Sequence, residues 1–584
     1  MAPEAHGCRE LDRLAEQLRM DAAHAPSAAG AGPPTPFLSS AELVAVLLAR
    51  HLRYDTQAPD HPGNDHFIYA KGPAEPMLYA MRRAAGAALD TEVARGSPGL
   101  GLPVGVGLAL AGRDLDRLPY RVWVLCGDGE LADGSIWEAF EHAGDEGLHL
   151  LTTIVDVNGP GRGTDSCVRR IRACGWHTVE VDGHDTAAID TAFTAAEAEA
   201  GRPTAVIART LTAAYGAAVP AGARGDAAPA AAVTDVRIRP RPPHHTPERA
   251  SREGAPLELP TYAPGCRIAT RDAYGEAVAA VGNARPEVVV LDGDVQHSTR
   301  RDPFAGEHPE RFFAYDVPAR QQVSTAIGMR ARGWTLYVSS LATLLTRAHD
   351  YLRTATIGGI PLNVIGSNSG VAAGRGEPAQ TCLEDVAMFR ALHGSTVLHP
   401  CDANQTARLT AALADSAAGG VRYLRTLRHA TPVVYGPHEE FPVGGSRLLR
   451  ATDEDRATVV AAGVAVHEAL RAADELAAED VRVRVIDLYS VKPVDADALH
   501  KAAAATGCLL TVEDHRPEGG LGDAVAGVFA DGHPAPCMVR LAVDTELGSA
   551  TPAGRLHEAG IDSAAIAAAL RRLTDQRQGR EAGG

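Results

Sequence analysis

The stretch Val122–Asn158, VWVLCGDGELADGSIWEAFEHAGDEGLHLLTTIVDVN, constrains this chain more than any other. Val122–Cys126 is a short apolar run with the length and branching of a buried parallel strand. Gly127-Asp128-Gly129 interrupts it, and Ser135–Ala143 follows with helical spacing through Ile136, Ala139, Phe140 and Ala143. A second apolar run, Leu150–Val155, ends shortly before Asn158. Two successive parallel strands deliver Asp128 and Asn158 to the carboxyl edge of one sheet, where open α/β sheets bind ligands. A carboxylate and an amide oxygen side by side suit Mg²⁺, which keeps room in its octahedron for diphosphate oxygens and water. The glycines let backbone N–H groups approach those phosphates.

A GDG by itself reads as an ordinary turn. The asparagine thirty residues later makes the pattern far more specific, and so does the continuation GELxxGxxWEA. With both, the stretch resembles the cofactor motif of the transketolase family of thiamine diphosphate enzymes. The resemblance extends along nearly the whole chain. GSPGLGLPVGVGLALA (Gly96–Ala111) is similar to the family's glycine-rich helix start, where Gly99, Gly101, Gly105 and Gly107 serve either helix packing or approach to the cofactor. ATRDAYGEAV to YLRTLR resembles the pyrimidine-binding domain. TVVAAGVAVHEAL, VRVIDLYSVKPVD and LLTVEDHRPEGGLGDAV resemble the carboxyl-terminal domain, whose role is read as interface and stability.

The resemblance implies three doubly wound α/β domains: diphosphate-binding (1–220), pyrimidine-binding (263–436) and transketolase carboxyl-terminal (437–584). Residues 221–262 between the first two are Ala/Pro/Arg-rich and read as a linker. A length of 584 residues accommodates three domains or more. Within the linker, His244-His245 is expected to be solvated. Short strands are predicted at Val288–Leu291, Leu362–Ile365, Thr396–Leu398 and Val421–Leu424. Near the amino terminus, helices are predicted over Glu10–Asp21 and Ala41–His51, the second capped by Ser39 or Ser40. His177 and His184 read as a surface turn and a satisfied structural histidine.

The formal charge of −17 argues against a general nucleic-acid binder, which needs a basic surface. No run of about 18 apolar residues and no signal peptide is evident, so a cytoplasmic protein without a membrane partner is expected. The nine cysteines lack CxxC spacing, and Cys126 reads as a buried small apolar residue.

By resemblance, thiamine diphosphate and Mg²⁺ (with Ca²⁺ as a substitute) are the implied cofactors. Gly127, Asp128, Gly129, Asn158, Asp294, Leu341 and Leu344 would contact the organic cofactor; Asp128, Asn158 and the Pro160 carbonyl would hold the metal. Arg271, Ser298, Arg428 and Asn368 fall at the family's substrate-phosphate positions, Asn368 where relatives carry histidine. Arginine forks suit phosphate. The substrate is therefore expected to be a small, phosphorylated molecule, and the assembly a homodimer.

The chain also departs from the family. In the segment of the form YxIAEQNMVxxAxG, here Tyr315–Gly328, the activating glutamate's place falls on Ala319. Asp316 and Asp133 are the candidate substitutes. Leu341 and Leu344 replace two aromatic residues, histidines are replaced at Pro33 and Pro73, and the family's GEDGP loop reads Gly374-Arg375-Gly376-Glu377-Pro378. Three functions stay open: transfer of a ketol or acyl unit to a phosphorylated or unusual acceptor, in specialised metabolism; a catalytically silent cofactor-binding homologue; and half of a mixed assembly in which a second transketolase-like chain supplies the glutamate.

Overall fold

In the computed structural model, residues 1–2, 24, 26–37, 73–74, 86–96, 159–163, 212–236, 247–253, 294–298, 301, 316–318, 372–380, 417–418, 531, 533, 546, 549–550 and 582–584 lie outside the description, as do the side chains of 3–8, 164 and 576–581. Among the described residues no helix is long and apolar enough to cross a membrane. The chain separates into two compact units, Met1–Ser251 with Ser324–Arg332, and Arg252–Val323 with Gly333–Gly584.

The first unit is built on β1 (His66–Ala70), β2 (Val122–Gly127), β3 (Leu151–Asn158), β4 (His177–Asp182) and β5 (Thr204–Thr210). They form one parallel sheet in the order β1-β2-β3-β5-β4. β2 is buried along its whole length, as its unbroken apolar sequence requires. Helix Gly101–Leu110 lies on this sheet, with two of its three glycines against the strands. A Cβ on Gly101 would come 2.3 Å from Ala70 Cβ, and one on Gly105 2.6 Å from Val124 Cγ2. Close packing therefore accounts for both.

Several local expectations need correction. The first helix is longer than its polar stretch suggested, Pro3–Ala23. The second is α-helical only over Ala41–Val46, then widens to a π turn at Leu47–His51. Ser40 occupies its N-cap position without capping it. The Ser40 hydroxyl meets Tyr69 OH at 3.0 Å, and Ser39 donates to Asp156 at 2.9 Å. Buried hydroxyl and carboxylate groups nearby compete successfully for the cap. His244 is not simply solvated: its Nε2 lies 2.9 Å from Asp65 Oδ1, and its N–H donates to the Gly63 carbonyl at 2.9 Å. Arg241 exchanges backbone hydrogen bonds with Leu52 and Tyr54, so this part of the predicted linker is docked.

The second unit opens with β6 (Arg267–Ala269), β7 (Val288–Asp292), β8 (Phe312–Ala314), β9 (Thr335–Leu341), β10 (Leu362–Ser367), β11 (Thr396–Leu398), β12 (Val421–Arg425) and β13 (Ala430–Pro432). It continues with β14 (Arg447–Arg450), β15 (Ala457–Ala461), β16 (Val483–Asp487), β17 (Ser490–Lys492), β18 (Cys508–Val512) and β19 (Cys537–Leu541). Its larger sheet runs β17-β11-β12-β10-β9-β7-β8, its smaller β14-β16-β15-β18-β19, and β6 pairs with β13. β17 belongs by sequence to the smaller sheet's chain segment, yet pairs antiparallel with β11. Arg425 at the end of β12 reinforces this junction. It is fully buried, pairs with Asp385 and donates to the Asp514 carbonyl at 2.9 Å. Both sheets are parallel-dominated, as an α/β protein requires.

Candidate active site

In the first unit, β2 and β3 are neighbours with Gly127 opposite Asp156. Asp128 and Asn158 therefore emerge together at the carboxyl edge. Asp128 begins a 3₁₀ turn, Asp128–Ala132, and its carboxylate is exposed. Among the described residues, its hydrogen-bond donor is the Asn158 N–H, 3.3 Å from Oδ2. Gly129 is exposed, and among the described residues a Cβ there would meet nothing within 4 Å. Protein packing does not call for this glycine, while a ligand approaching the turn would.

Asn158 faces Thr210 at the end of β5. Thr210 Oγ1 lies 2.7 Å from Asn158 Oδ1 and 2.5 Å from Asp156 Oδ1, and one hydroxyl proton cannot serve both. Turning the Asn158 amide over lets Nδ2 donate to Thr210, leaves the proton to Asp156, and directs Oδ1 away from Thr210. Beneath lies a group that sequence reasoning missed. Asp156 is fully buried and accepts from Ser39 at 2.9 Å and from the Lys71 ammonium. Lys71 Nζ also donates to Ser39 Oγ at 2.6 Å, and the lysine stem passes Gly127, whose Cβ would come 3.2 Å from Lys71 Cγ. A buried lysine is stable only with such a partner. The available signal was a rare lysine directly after a strand of apolar residues.

Asp133, a candidate acid, caps helix Gly134–Asp145: its Oδ1 accepts from Ser135 N–H at 2.8 Å and Ser135 O–H at 2.6 Å. Glu130 accepts the Gly99 N–H at 2.5 Å, and burial pushes its carboxyl up. His184 accepts the Leu211 N–H at 2.9 Å, the satisfied histidine expected. Among the described residues no group of three or more His, Cys, Asp or Glu could hold a metal ion. The expected metal set, one carboxylate, one amide and a carbonyl, is of a different kind. Its third member, Pro160, lies outside the described residues.

In the second unit, β10 and β12 are paired with Gly366 opposite Arg425, so the residues beyond them share one edge. Asn368 follows β10 and Arg428 follows β12. Arg271, in the first turn of helix Thr270–Ala284, donates its N–H to the Leu427 carbonyl at 3.3 Å. Its Nη1 donates to Asn368 Oδ1 at 3.3 Å. Three of the four predicted phosphate residues are thus gathered, with Arg428 exposed. Asn368 has φ +57°. Asparagine and histidine both tolerate this left-handed region, so the replacement leaves the backbone undisturbed. Asp514, from the segment after β18, accepts the Val371 N–H at 2.7 Å and fixes the base of this loop.

Ala319 starts helix Ala319–Ala331 and is buried at 2% exposure. Leu341 and Leu344 are half-buried at the end of β9 and on the turn after it. Ser298, Asp294, Asp316, Pro33, Pro73 and the Gly374–Pro378 loop lie outside the described residues. Asp128 and Asn158 are oxygen donors of the kind that suits a divalent cation carrying a diphosphate. The second unit lacks an acid at Ala319 to complete the fit.

Residues 91–240 match the family model described as transketolase, thiamine diphosphate binding domain. Residues 267–433 match transketolase, pyrimidine binding domain, and 446–566 match transketolase, C-terminal domain. The chain is 37% identical to transketolase-like protein 2 of Mus musculus, over 97% of this chain and 98% of the relative. It is 36% identical to transketolase of Homo sapiens, over 98% of each. Its fold is similar to that of transketolase from Leishmania mexicana (TM-score 0.79, 20% identity, 97% of each chain). It is also similar to transketolase from Campylobacter jejuni (TM-score 0.81, 18% identity, 97% of this chain and 99% of that one).

Proposed function

This chain belongs to the transketolase family, and from that premise we propose that it is a thiamine diphosphate- and Mg²⁺-dependent transferase. It moves a two-carbon ketol or an acyl unit to a phosphorylated or unusual acceptor, in specialised metabolism. The observation that carries this reading is the meeting of Asp128 and Asn158 at adjacent strand ends. Asp128, Asn158 and the Pro160 carbonyl would hold the cation, Mg²⁺ or in its place Ca²⁺. Gly127 and Gly129 let the chain approach the diphosphate. Once bound, the cofactor supplies an electron sink at its thiazolium carbon.

The chain's residues do the rest. Leu341 and Leu344 offer an apolar face to a ring, without the stacking geometry of aromatic side chains. Arg271, Asn368 and Arg428 hold the substrate's phosphate at the end remote from the reacting carbonyl. Asp294 and Ser298 join the cofactor and phosphate contacts respectively. The active form is a homodimer with two cofactor sites.

Ala319 favours a second reading. A methyl group cannot share a proton, so a catalytically silent cofactor-binding protein, or one half of a mixed transketolase-like assembly, also accounts for an intact metal site. Cofactor binding and turnover separate these readings. Purified chain should gain thermal stability from thiamine diphosphate plus Mg²⁺ and elute as a dimer by light scattering; absence of stabilisation at saturating cofactor overturns the proposal. Stabilisation without turnover on any ketose phosphate selects the silent reading, and turnover only after adding a second transketolase-like chain selects the mixed one.

A further inference from the structure

The connections of the larger sheet reverse at one crevice. From β7 the chain moves to β8 on one flank, then returns to β9 and continues to β10 on the other. Ligands of open α/β sheets bind at the carboxyl ends of strands where the order reverses in this way. Helix Ala319–Ala331 begins over that crevice. Ala319 and Gln322 are three residues apart and share one helix face; both are buried, at 2% and 0% exposure.

Gln322 bridges the two strands. Its Nε2 donates to the Leu291 carbonyl of β7 at 2.8 Å and to the Ser339 carbonyl of β9 at 2.9 Å. Two acceptors fix which way the carboxamide points, because turning it over would set Oε1 against both carbonyls. Oε1 is thereby an oriented acceptor, and among the described residues it is buried without a hydrogen-bond partner. Ser340 Oγ, at 1% residue exposure, is also buried and has no partner among the described residues. Both atoms border the space that Gly293 leaves by lacking a side chain: a Cβ there would come 2.7 Å from Gln322 Oε1 and 3.3 Å from Ser340 Oγ. Two neighbouring polar groups are occupied. Ser339 Oγ meets Tyr274 OH at 2.6 Å, and Asp292 accepts from Thr299 at 2.5 Å. A desolvated amide oxygen and hydroxyl left without partners are unfavourable, and an apolar side chain at 322 would avoid that cost. The resembling motif has methionine at that place.

We propose that Gln322 Oε1 and Ser340 Oγ are an acceptor–donor pair for the edge of an amino-substituted nitrogen heterocycle, taking over the ring contact that Ala319 cannot make. The inference rests on the reading of the chain as a thiamine diphosphate protein. The carboxamide oxygen accepts the amino N–H, and the serine O–H donates to the ring nitrogen beside it. Neither group exchanges a proton near neutral pH, so both are positioning residues: they hold the ring without activating it.

The test uses two probes on the purified full chain, thiamine diphosphate with Mg²⁺ and inorganic pyrophosphate with Mg²⁺. The second probe reads the diphosphate side alone. Gln322→Met should weaken thiamine diphosphate binding by roughly 3- to 10-fold, as expected for a neutral hydrogen bond, and leave the pyrophosphate Kd unchanged. Ser340→Ala, a smaller change that strips no carbonyl of its donor, should weaken only the first probe by about 3-fold. Unchanged thiamine diphosphate affinity in Ser340→Ala and in folded Gln322→Met overturns the inference while leaving the cofactor reading intact. Equal loss for both probes also overturns it, because the effect is then structural. Wild-type chain that binds pyrophosphate but not thiamine diphosphate overturns the cofactor reading and this inference together.

Discussion

Asn158 donates its backbone N–H to Asp128 Oδ2 at 3.3 Å, across thirty residues of intervening helix and strand. The bond holds the Asp128 carboxylate beside Asn158. Preorganisation of that kind lowers the cost of binding a cation that tolerates little distortion.

Asp128→Ala should therefore abolish the stabilisation given by thiamine diphosphate plus Mg²⁺. A ligand at a hundred times its Kd adds about 2.7 kcal/mol to the wild type. Paired thermal melts with and without cofactor and metal measure the effect. An unaltered cofactor-dependent Tm shift in the variant would remove Asp128 from the site.

The alanine at 319 predicts weak or absent transfer from xylulose 5-phosphate to ribose 5-phosphate, even with cofactor bound. General acid–base assistance is typically worth about 10²–10⁴-fold. Ala319→Glu should speed exchange of the thiazolium proton, followed by proton NMR, without restoring sugar transfer, because by resemblance Pro33 and Pro73 fall at the places of the family's histidines. Robust wild-type turnover would assign the acid elsewhere, and Asp316→Asn and Asp133→Asn would then be the next variants; Asp133 already serves as a helix cap.

Arg428 is exposed at the edge where Arg271 meets Asn368. Arg428→Ala should weaken binding of a sugar phosphate by about 1.5–3 kcal/mol, the range for a hydrogen bond to a charged group. Titration calorimetry with the phosphorylated sugar and its unphosphorylated counterpart checks it. Equal losses for the two would deny the arginine its phosphate.

Asp487, fully buried at the end of β16, accepts from Tyr435 at 2.7 Å and Gln405 at 2.8 Å. Burial pushes its carboxyl up to about 7 against the hydrogen bonds that favour the ionised form. The native chain thus keeps a proton that the unfolded chain releases at lower pH. Stability tied to that proton is complete below the ordinary carboxylate range and is lost as pH rises through about 7. Asp487→Asn keeps an acceptor but does not titrate. Wild-type Tm should fall relative to the variant between about pH 5 and pH 8, and parallel pH profiles would refute the assignment.

Much of the candidate site's local geometry was legible because it is local. Strand, glycine turn, helix and strand follow from apolar periodicity and glycine placement within Val122–Asn158, and side-chain type alone marks Asp128 and Asn158 as oxygen donors. The short strands predicted at Thr396–Leu398 and Val421–Leu424 were visible for the same reason, and the second extends one residue further, to Arg425. Tertiary structure decided what depends on distant partners. Asp156 meets Ser39, Lys71 and Thr210 across 54 to 117 residues of sequence. No period encodes which hydroxyl a buried carboxylate will capture, so the expected serine cap was overruled. β17 left its own segment's sheet because an open edge of the neighbouring sheet offered unpaired backbone groups. Gln322 reads in sequence as one more polar residue on a helix. Its carbonyl partners in two strands, and the unpartnered oxygen they leave beside Gly293, exist only once those strands lie side by side.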